Sequence, residues 1–214
     1  MRVAQFHGQP AKPHPGAGGT ASPRAMTSLD VLPHATNEFD RRVRLVAPDQ
    51  WEQPRGLGEW TVRDLVDHVV GGNRMATVLL AGGTRDEAKA AFGLSRGDTD
   101  LPAAFAESAR AQADAFAAAG DMTAIVHHPM GDMPASQLLD FRITDLVVHA
   151  WDLAQATGGD EALDAEAVAA VWELLQPFAP FIGQVGVFGE GPSGSVPDDA
   201  PLQERMLDFT GRRP

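Results

Sequence analysis

The sequence contains no cysteine, and this absence removes several kinds of chemistry before any motif is considered. Without cysteine the chain forms no disulfide, offers no thiolate to a metal ion and has no cysteine nucleophile. Any thiol that takes part in its chemistry must therefore arrive as a small molecule. The lack of cysteine also suits a reducing compartment, so we expect the protein to be cytoplasmic.

Positive charge and long apolar runs are scarce as well. The 17 lysine and arginine residues face 29 aspartate and glutamate residues, which gives a formal net charge of −12. Nucleic-acid backbones are bound by basic patches, so this excess of acid argues against a nucleic-acid partner. No apolar run has the length that a bilayer span needs, and the N-terminus lacks the pattern of a secretory signal. We therefore expect no membrane association.

The composition that remains is that of one packed domain. Hydrophobic residues make up 43% of the 214 residues, an ordinary share for a globular protein. Residues 1–26 differ, because they hold four glycines, four prolines and no acidic residue. We interpret them as a disordered extension, or as the product of a misassigned start with Met26 as the true first residue. Residues 27–214 would then form one helical domain.

Apolar periodicity and capping signals predict a chain made of helices. Thr61 and Asp64 fit a capping box at the start of the second helix, and Gly158 fits the end of the fourth. Residues 122–133 are expected to be extended or irregular, with no convincing strand pair. Amphipathic helices with short connections predict an all-α bundle, with additional helices at the C-terminal end. The predicted helices cover residues 30–47, 61–80, 101–119, 134–157, 164–178 and 201–209.

The fourth predicted helix is the most informative element. Residues 138–154 are apolar nearly all round, which is typical of a buried helix, yet they include Arg142, Asp145, His149 and Asp152. Their spacings of three, four and three residues place all four on one face. Ionisable groups on a buried helix need partners, because desolvating an unpaired charge is costly. Those partners are either a metal ion or an internal network of salt bridges.

Two residues of this face have the spacing of metal ligands. Asp145 and His149 stand four residues apart, so both side chains can reach one ion. His68, which lies among apolar residues of the second predicted helix, is the best candidate for a third ligand. Three protein ligands leave the open position that catalysis by zinc requires. The alternative is structural: His68 pairs with Asp64, and His149 pairs with Asp145 or Asp152.

Other polar and aromatic residues carry weaker signals. His127 and His128 precede the fourth helix, where they either line the mouth of a pocket or are simply solvated. Trp60 and Trp151 are predicted to pack in the core. Residues 189–194 are glycine-rich but lack the preceding strand and the lysine of a phosphate-binding loop, so we predict a flexible loop there.

Two segments resemble motifs of the mycothiol-dependent maleylpyruvate isomerase family, part of a DinB-like group of four-helix metalloproteins. Residues 59–68, EWTVRDLVDH, are similar to the family signature E-W-[ST]-V-R-D-L-x-x-H. Residues 145–153, DLVVHAWDL, are similar to its second metal motif, in which a carboxylate is followed four residues later by histidine. Residues 201–214 resemble the end of an actinobacterial subgroup. The resemblance implies a DinB-like four-helix bundle.

The resemblance also implies a set of ligands and a cosubstrate. It implies metal ligands at His68, Asp145 and His149, a divalent ion for which Zn²⁺ is the first expectation, and a low-molecular-weight thiol such as mycothiol. The metal would lower the pKa of the thiol, and the thiolate would attack a small electrophile. Arg142 and Asp152 flank the proposed ligands, and we expect them to orient those ligands rather than to touch the ion.

Two positions depart from the family pattern. Leu57 stands where relatives often carry a cysteine, and Asp145 stands where the isomerase resembles a glutamate pattern. Both departures bear on the specific isomerase reaction more than on the metal site. We therefore expect a metal-dependent, thiol-using transferase or isomerase that acts as a monomer or homodimer. The alternative is a non-catalytic metal-binding bundle that serves a partner protein or buffers metal.

Overall fold

The computed structural model describes residues 27–54, 59–183 and 190–214. The predictions for residues 1–26 and for Leu57 therefore lie outside the described residues. The described part consists of seven α-helices, one hairpin of two strands and two short 3₁₀ turns at 94–97 and 176–178. These elements are α1 (Ser28–Val43), α2 (Val62–Leu80), α3 (Arg85–Gly93), α4 (Leu101–Ala118), β1 (Ile125–His128), β2 (Gly131–Pro134), α5 (Ala135–Thr157), α6 (Ala165–Leu175) and α7 (Leu202–Phe209).

Four of the helices form the bundle. Helix α1 packs mainly on α5, helix α2 packs mainly on α4, and the contacts of α2 with α5 and of α1 with α4 close the ring. Helix α6 covers α5 and α1, and α7 packs on α6. The expected all-α bundle with additional C-terminal helices is confirmed. Because α2 and α5 are neighbours, side chains on their facing sides can share one site.

The predicted capping residues begin and end the helices that carry this site. The hydroxyl of Thr61 accepts a hydrogen bond from the Asp64 backbone N–H at 3.2 Å, and the Asp64 carboxylate accepts one from the Thr61 N–H at 2.9 Å. This reciprocal pair satisfies two backbone donors that the first turn would otherwise leave without partners. Helix α5 ends at Gly158, whose φ of 68° lies in the left-handed region that favours glycine.

Helix α5 lies at the centre of the core, as its composition predicts. Its apolar residues are buried on all sides, and Trp151 is only 1% exposed. Arg142, His149 and Asp152 are buried as well. These three ionisable residues of α5 are therefore largely removed from solvent, so their charges need partners.

Helix α3 is absent from the sequence prediction. Thr84 and Glu87 form a capping box at its start, with the Thr84 N–H donating to the Glu87 carboxylate at 2.7 Å. The helix was missed because its buried residues are two alanines, Ala88 and Ala91, which give almost no apolar periodicity. Helix α1 also differs from its prediction, since it begins at Ser28 and ends at Val43 rather than running from 30 to 47.

The expectation that no strands pair was wrong. Strands β1 and β2 pair antiparallel, with Val126 opposite Met133 and His128 opposite Gly131. Each strand has four residues, and only Val126 and Met133 put large apolar side chains into the core. That is too short an alternation for a sequence to indicate a strand. The hairpin leads directly into α5. Within the described residues, no helix combines the length and hydropathy needed to cross a membrane.

Candidate metal centre

Helices α2 and α5 bring His68, Asp145 and His149 together. Oδ1 of Asp145 lies 3.1 Å from Nε2 of His68 and 3.1 Å from Nε2 of His149. The two imidazole rings stand nearly perpendicular, with centroids 5.0 Å apart and an interplanar angle of 82°. Asp64 is committed to the helix cap, so the alternative pairing of His68 with Asp64 is not what the structure has.

The donor set of this cluster fits a divalent ion. Each of the three residues offers one ligand atom, and the three atoms all lie within 4.8 Å of one another. Ligands at about 2.0–2.1 Å from a tetrahedral zinc ion stand roughly 3.3 Å apart, close to the two 3.1 Å separations in the cluster. Two imidazole nitrogens and one carboxylate oxygen also match a common catalytic zinc set, which keeps a fourth position open.

Behind His149 lies a second pair of charged residues. Nδ1 of His149 is 2.8 Å from Oδ2 of Asp152. With its proton on Nδ1, the ring directs the lone pair of Nε2 towards Asp145 and His68. Asp152 is fully buried, and its carboxylate accepts two hydrogen bonds from Arg212 at 3.1 and 2.7 Å. Arg212 belongs to the C-terminal tail, so this tail takes part in orienting His149.

Arg142 holds the other side of Asp145. Its Nη1 donates to Oδ2 of Asp145 at 2.7 Å, which leaves Oδ1 facing the two histidines. The remaining donors reach the side chains of Gln112 and Asn73 and the carbonyl of Val69. A buried guanidinium with four hydrogen bonds has one fixed position, so it also fixes the carboxylate.

Gly72 on α2 makes room for this guanidinium. A Cβ built at Gly72 would overlap Nη1 of Arg142 and would lie 2.6 Å from its Cζ. Glycine in a helix interior is unfavourable by roughly 1 kcal/mol relative to alanine, so its presence in α2 needs a reason. The close approach of Arg142 supplies that reason.

The electrostatics of the cluster keep both carboxylates ionised. Burial alone would raise the pKa of Asp145, but the positive charges of His68, His149 and Arg142 outweigh burial and hold that pKa well below its usual value. The pKa of Asp152 is likewise far below its usual value, because His149 and Arg212 outweigh its burial. Burial would lower the pKa of His149, but Asp145 and Asp152 raise it instead.

The cluster opens into a cavity of about 770 Å³. This volume lies within the range of roughly 300–1,000 Å³ that is usual for small-molecule sites. Most of the wall is apolar, and its polar residues include the two histidines and Asp145 of the cluster. Residues of α2, α5, the β1–β2 turn and the segment after α6 contribute to the wall. The apolar part includes Trp60, Met75, Phe92, Leu138, Phe141 and Phe178.

Several residues of this site differ from their sequence predictions. Trp60 is not a core residue: it is 37% exposed and its ring lies 5.1 Å from that of His68. His127 is exposed and contacts Asp132, whereas His128 is buried and lines the cavity. Trp151 lies in the core as predicted. Arg212 was missed, because no local pattern links it to a residue 60 positions earlier.

A solved structure shares this arrangement of helices. The structure of a histidine-to-alanine mutant of the mycothiol-dependent maleylpyruvate isomerase superposes with a TM-score of 0.55, covering 72% of this chain and 71% of that one. The two sequences are 16% identical, so the likeness concerns the fold. The fold is therefore the DinB-like four-helix bundle that the sequence resemblance implies.

Sequence comparisons give the family. Residues 32–154, more than half of the chain, match the family model of the mycothiol maleylpyruvate isomerase N-terminal domain. Two uncharacterized proteins from two strains of Mycobacterium tuberculosis, MT0763 and Rv0738, are each 32% identical to this chain over 191 residues. Each match covers 87% of this chain and 98% of the relative. The chain belongs to the mycothiol maleylpyruvate isomerase N-terminal domain family.

Proposed function

We propose that this protein is a divalent-metal-binding enzyme that uses a low-molecular-weight thiol, such as mycothiol, to transform a small electrophile as a transferase or isomerase. The observation that carries the proposal is the convergence of His68, Asp145 and His149 at the wall of a large apolar cavity. A metal-binding bundle that only buffers metal has no need of such a cavity. Membership of the mycothiol maleylpyruvate isomerase N-terminal domain family supports the proposed use of a low-molecular-weight thiol.

The proposed ligands would hold the ion through two imidazole nitrogens and one carboxylate oxygen. The Asp152 carboxylate would accept a hydrogen bond from Nδ1–H of His149, so Nε2 of that ring would be free to act as a metal ligand. Arg142 holds one oxygen of Asp145 and leaves the other for the ion. A bound zinc ion would act as a Lewis acid that lowers the pKa of a thiol occupying its open position.

The remaining residues of the site shape the space around the reacting groups. Trp60 and Phe92 pack beside the His68 ring, with ring centroids at 5.1 and 5.6 Å. Their apolar surfaces keep water from this side of the cluster, which strengthens the electrostatic interactions inside it. The apolar cavity then accommodates the organic part of the electrophile.

The first experiment measures metal content. Purified wild type, His68→Ala and His149→Ala would be compared by elemental analysis after equilibration with zinc. We expect one equivalent of metal in the wild type and its loss in both variants. His127→Ala is a matched control, because His127 is exposed and pairs with Asp132 across its own hairpin. A full equivalent with unchanged affinity in either variant would show that the residue is not a ligand.

The second experiment separates an enzyme from a metal-binding bundle. Zinc-loaded protein would be assayed for thiol transfer or thiol-dependent isomerisation with mycothiol and a panel of small electrophiles. We expect turnover that depends on both metal and thiol. Stoichiometric metal binding with no turnover across the panel would favour the non-catalytic alternative.

A further inference from the structure

His128 presents an unused hydrogen-bond donor to the cavity. Its Nδ1 accepts a hydrogen bond from the backbone N–H of Met130 at 3.1 Å, so the neutral ring carries its proton on Nε2. The residue is only 7% exposed and lines the cavity. Among the described residues, no acceptor lies within hydrogen-bonding distance of Nε2, and this atom is not sealed inside the protein. No described residue uses this donor, and the residue that carries it lines the cavity.

The surroundings of His128 keep the ring neutral. Burial lowers its pKa below the ordinary value of 6.5, and the positive charges of Arg142 and Arg85 lower it further. A neutral imidazole with its proton on Nε2 donates one hydrogen bond and brings no positive charge. Such a group suits a neutral acceptor, for which the carbonyl oxygen is the commonest organic example.

The cationic side chains of the cavity wall are already engaged. Arg142 binds Asp145, and Arg212 binds Asp152. The ammonium of Lys89 is 3.8 Å from Asp86, and its side chain is 59% exposed, so it belongs to the rim. In the part of the chain that the structure describes, the wall thus offers no unpaired buried arginine or lysine to an anionic ligand, and away from the proposed metal ion a ligand anion would have no cation to bind.

The negative charges of the wall act in the same direction. Asp140 lines the cavity and is partly buried, with its carboxylate accepting a hydrogen bond from Ser28 at 2.7 Å. A ligand carboxylate placed beside His128, away from the proposed metal ion, would meet this group and the apolar wall without a cation to compensate it. Burying such a charge is costly.

His128 and the proposed metal-binding residues lie at different places along the cavity, so a bound small molecule could contact each with a different end. The His128 ring contacts Phe141, with ring centroids 6.4 Å apart. Phe141 precedes His149 on α5 by eight residues, which is about 12 Å along a helix axis. The hydrogen-bond donor and the proposed metal site thus lie at different places along the same helix, with the apolar wall between them.

We propose that the cavity takes an uncharged, largely apolar electrophile whose carbonyl oxygen accepts a hydrogen bond from Nε2–H of His128. The inference rests on the proposed function, since it names the class of electrophile that the same site would use. His128 is then a ligand-binding residue that sets the orientation of the electrophile.

Binding can be tested without metal, thiol or turnover. Three molecules share one phenylpropenyl frame: benzylideneacetone is a neutral ketone, cinnamate is an anion, and trans-β-methylstyrene has no polar group. Their dissociation constants for the metal-free wild-type protein would be measured by calorimetry. The protein has no cysteine, so the enone cannot be trapped by a protein thiol. We expect the ketone to bind at least about 10-fold more tightly than cinnamate.

Two variants of His128 then isolate the donor. In His128→Asn the side-chain oxygen can still accept from the Met130 N–H, but no group replaces Nε2–H. We expect about 3–10-fold weaker ketone binding, the usual effect of one lost hydrogen bond, and unchanged binding of the hydrocarbon. His128→Gln, whose amide can place an N–H near the position of Nε2, should restore most of the ketone affinity.

Three results would overturn the inference: cinnamate binding as tightly as the ketone, ketone affinity unaffected by His128→Asn, or no binding of the ketone at all. The metal and turnover experiments are independent of these titrations. A chain that binds the ketone but never transfers a thiol would refute the proposed function alone. A chain that transfers thiols only to anionic electrophiles would refute this inference alone.

Discussion

Arg212 holds both carboxylate oxygens of Asp152, with Nε donating to Oδ1 at 3.1 Å and Nη2 donating to Oδ2 at 2.7 Å. Oδ2 of Asp152 in turn lies 2.8 Å from Nδ1 of His149. The family model matches residues 32–154, so the arginine lies beyond the matched region while the other two residues lie within it. The C-terminal tail therefore adds a support to the candidate site that the matched domain does not supply.

Replacing this arginine should loosen the site. We expect Arg212→Met to weaken zinc binding about 10–100-fold, the usual effect of removing a group that orients a ligand. The dissociation constant would be measured by competition with a chelator, and the ligand geometry by the absorption of bound Co²⁺. Arg213→Met is the matched control, because the neighbouring arginine is half exposed and pairs with Asp208 instead. Equal affinities in the two variants would contradict the prediction.

Asp152→Asn tests the same support from the carboxylate side. The amide oxygen can still accept a hydrogen bond from His149, but it carries no charge, so this hydrogen bond becomes weaker and orients the imidazole ring less firmly. We expect weaker zinc binding with the site still filled at saturating zinc. Asp208→Asn provides a control, since Asp208 is also buried and also pairs with an arginine of the tail. Wild-type zinc affinity in Asp152→Asn would show that this carboxylate has no such role.

Arg142→Met should separate metal binding from turnover. Loss of the guanidinium frees Oδ2 of Asp145 and leaves Gln112 and Asn73 without their partner. We expect a full equivalent of zinc at saturation, a lower thiol-transfer rate and a decrease of about 3–5 kcal/mol in the free energy of unfolding. Arg74→Met, changed in another arginine that forms an ion pair, here with partly exposed Asp98, should change neither zinc content nor rate. An Arg142→Met protein with full activity would refute this role.

Gly72→Ala should destabilise the protein although alanine is the better helix former. Alanine gains roughly 1 kcal/mol in helix propensity, but its Cβ overlaps Arg142 and forces the guanidinium away from Asp145. Overpacking of this kind typically costs about 1–3 kcal/mol, so we expect a net loss in chemical denaturation together with weaker zinc binding. Gly93→Ala meets no atom within 4 Å and should be neutral or stabilising. A stabilised Gly72→Ala protein would contradict the account.

The stability of the protein should fall in mildly acidic solution because of His128. Its pKa is lowered in the folded protein, so below about pH 6.5 the unfolded chain binds the proton more readily than the folded one. The contribution of His128 to the free energy of unfolding is constant above that pH, and it becomes unfavourable to the folded state below it. The melting temperature of His128→Gln should therefore fall less than that of the wild type between pH 7.5 and pH 5.5. His127→Gln, changed in the exposed neighbour, should follow the wild type.

Much of the bundle follows from local patterns. Thr61 with Asp64 and Gly158 define ends of α2 and α5, because capping depends on residues three or four positions apart. The grouping of Asp145 with His149 follows from helix periodicity in the same way. His68 is a candidate third ligand from its place among apolar residues, and the family resemblance strengthens that expectation, since no rule of local structure joins α2 to α5.

The parts that were missed depend on packing over long sequence distances. Whether Trp60 is buried depends on which helices cover it, and the cavity beside His68 leaves it partly exposed. The sequence leaves open whether His128 lines a pocket or is solvated, and only the packing of the β1–β2 hairpin shows that it lines the cavity. Arg212 reaches its partner from the other end of the domain. Tertiary contacts of this kind leave no periodic signal in the chain.

The pairing of Arg212 with Asp152 also sets an order of events during synthesis. The two residues are separated by 60 positions, which a ribosome working at about 5–20 residues per second covers in roughly 3–12 s. During that interval the nascent chain already contains every proposed metal ligand, but Arg212, which pairs with Asp152, has not yet been synthesised. The metal centre would therefore be among the last features of the domain to mature, after the bundle that surrounds it has begun to collapse.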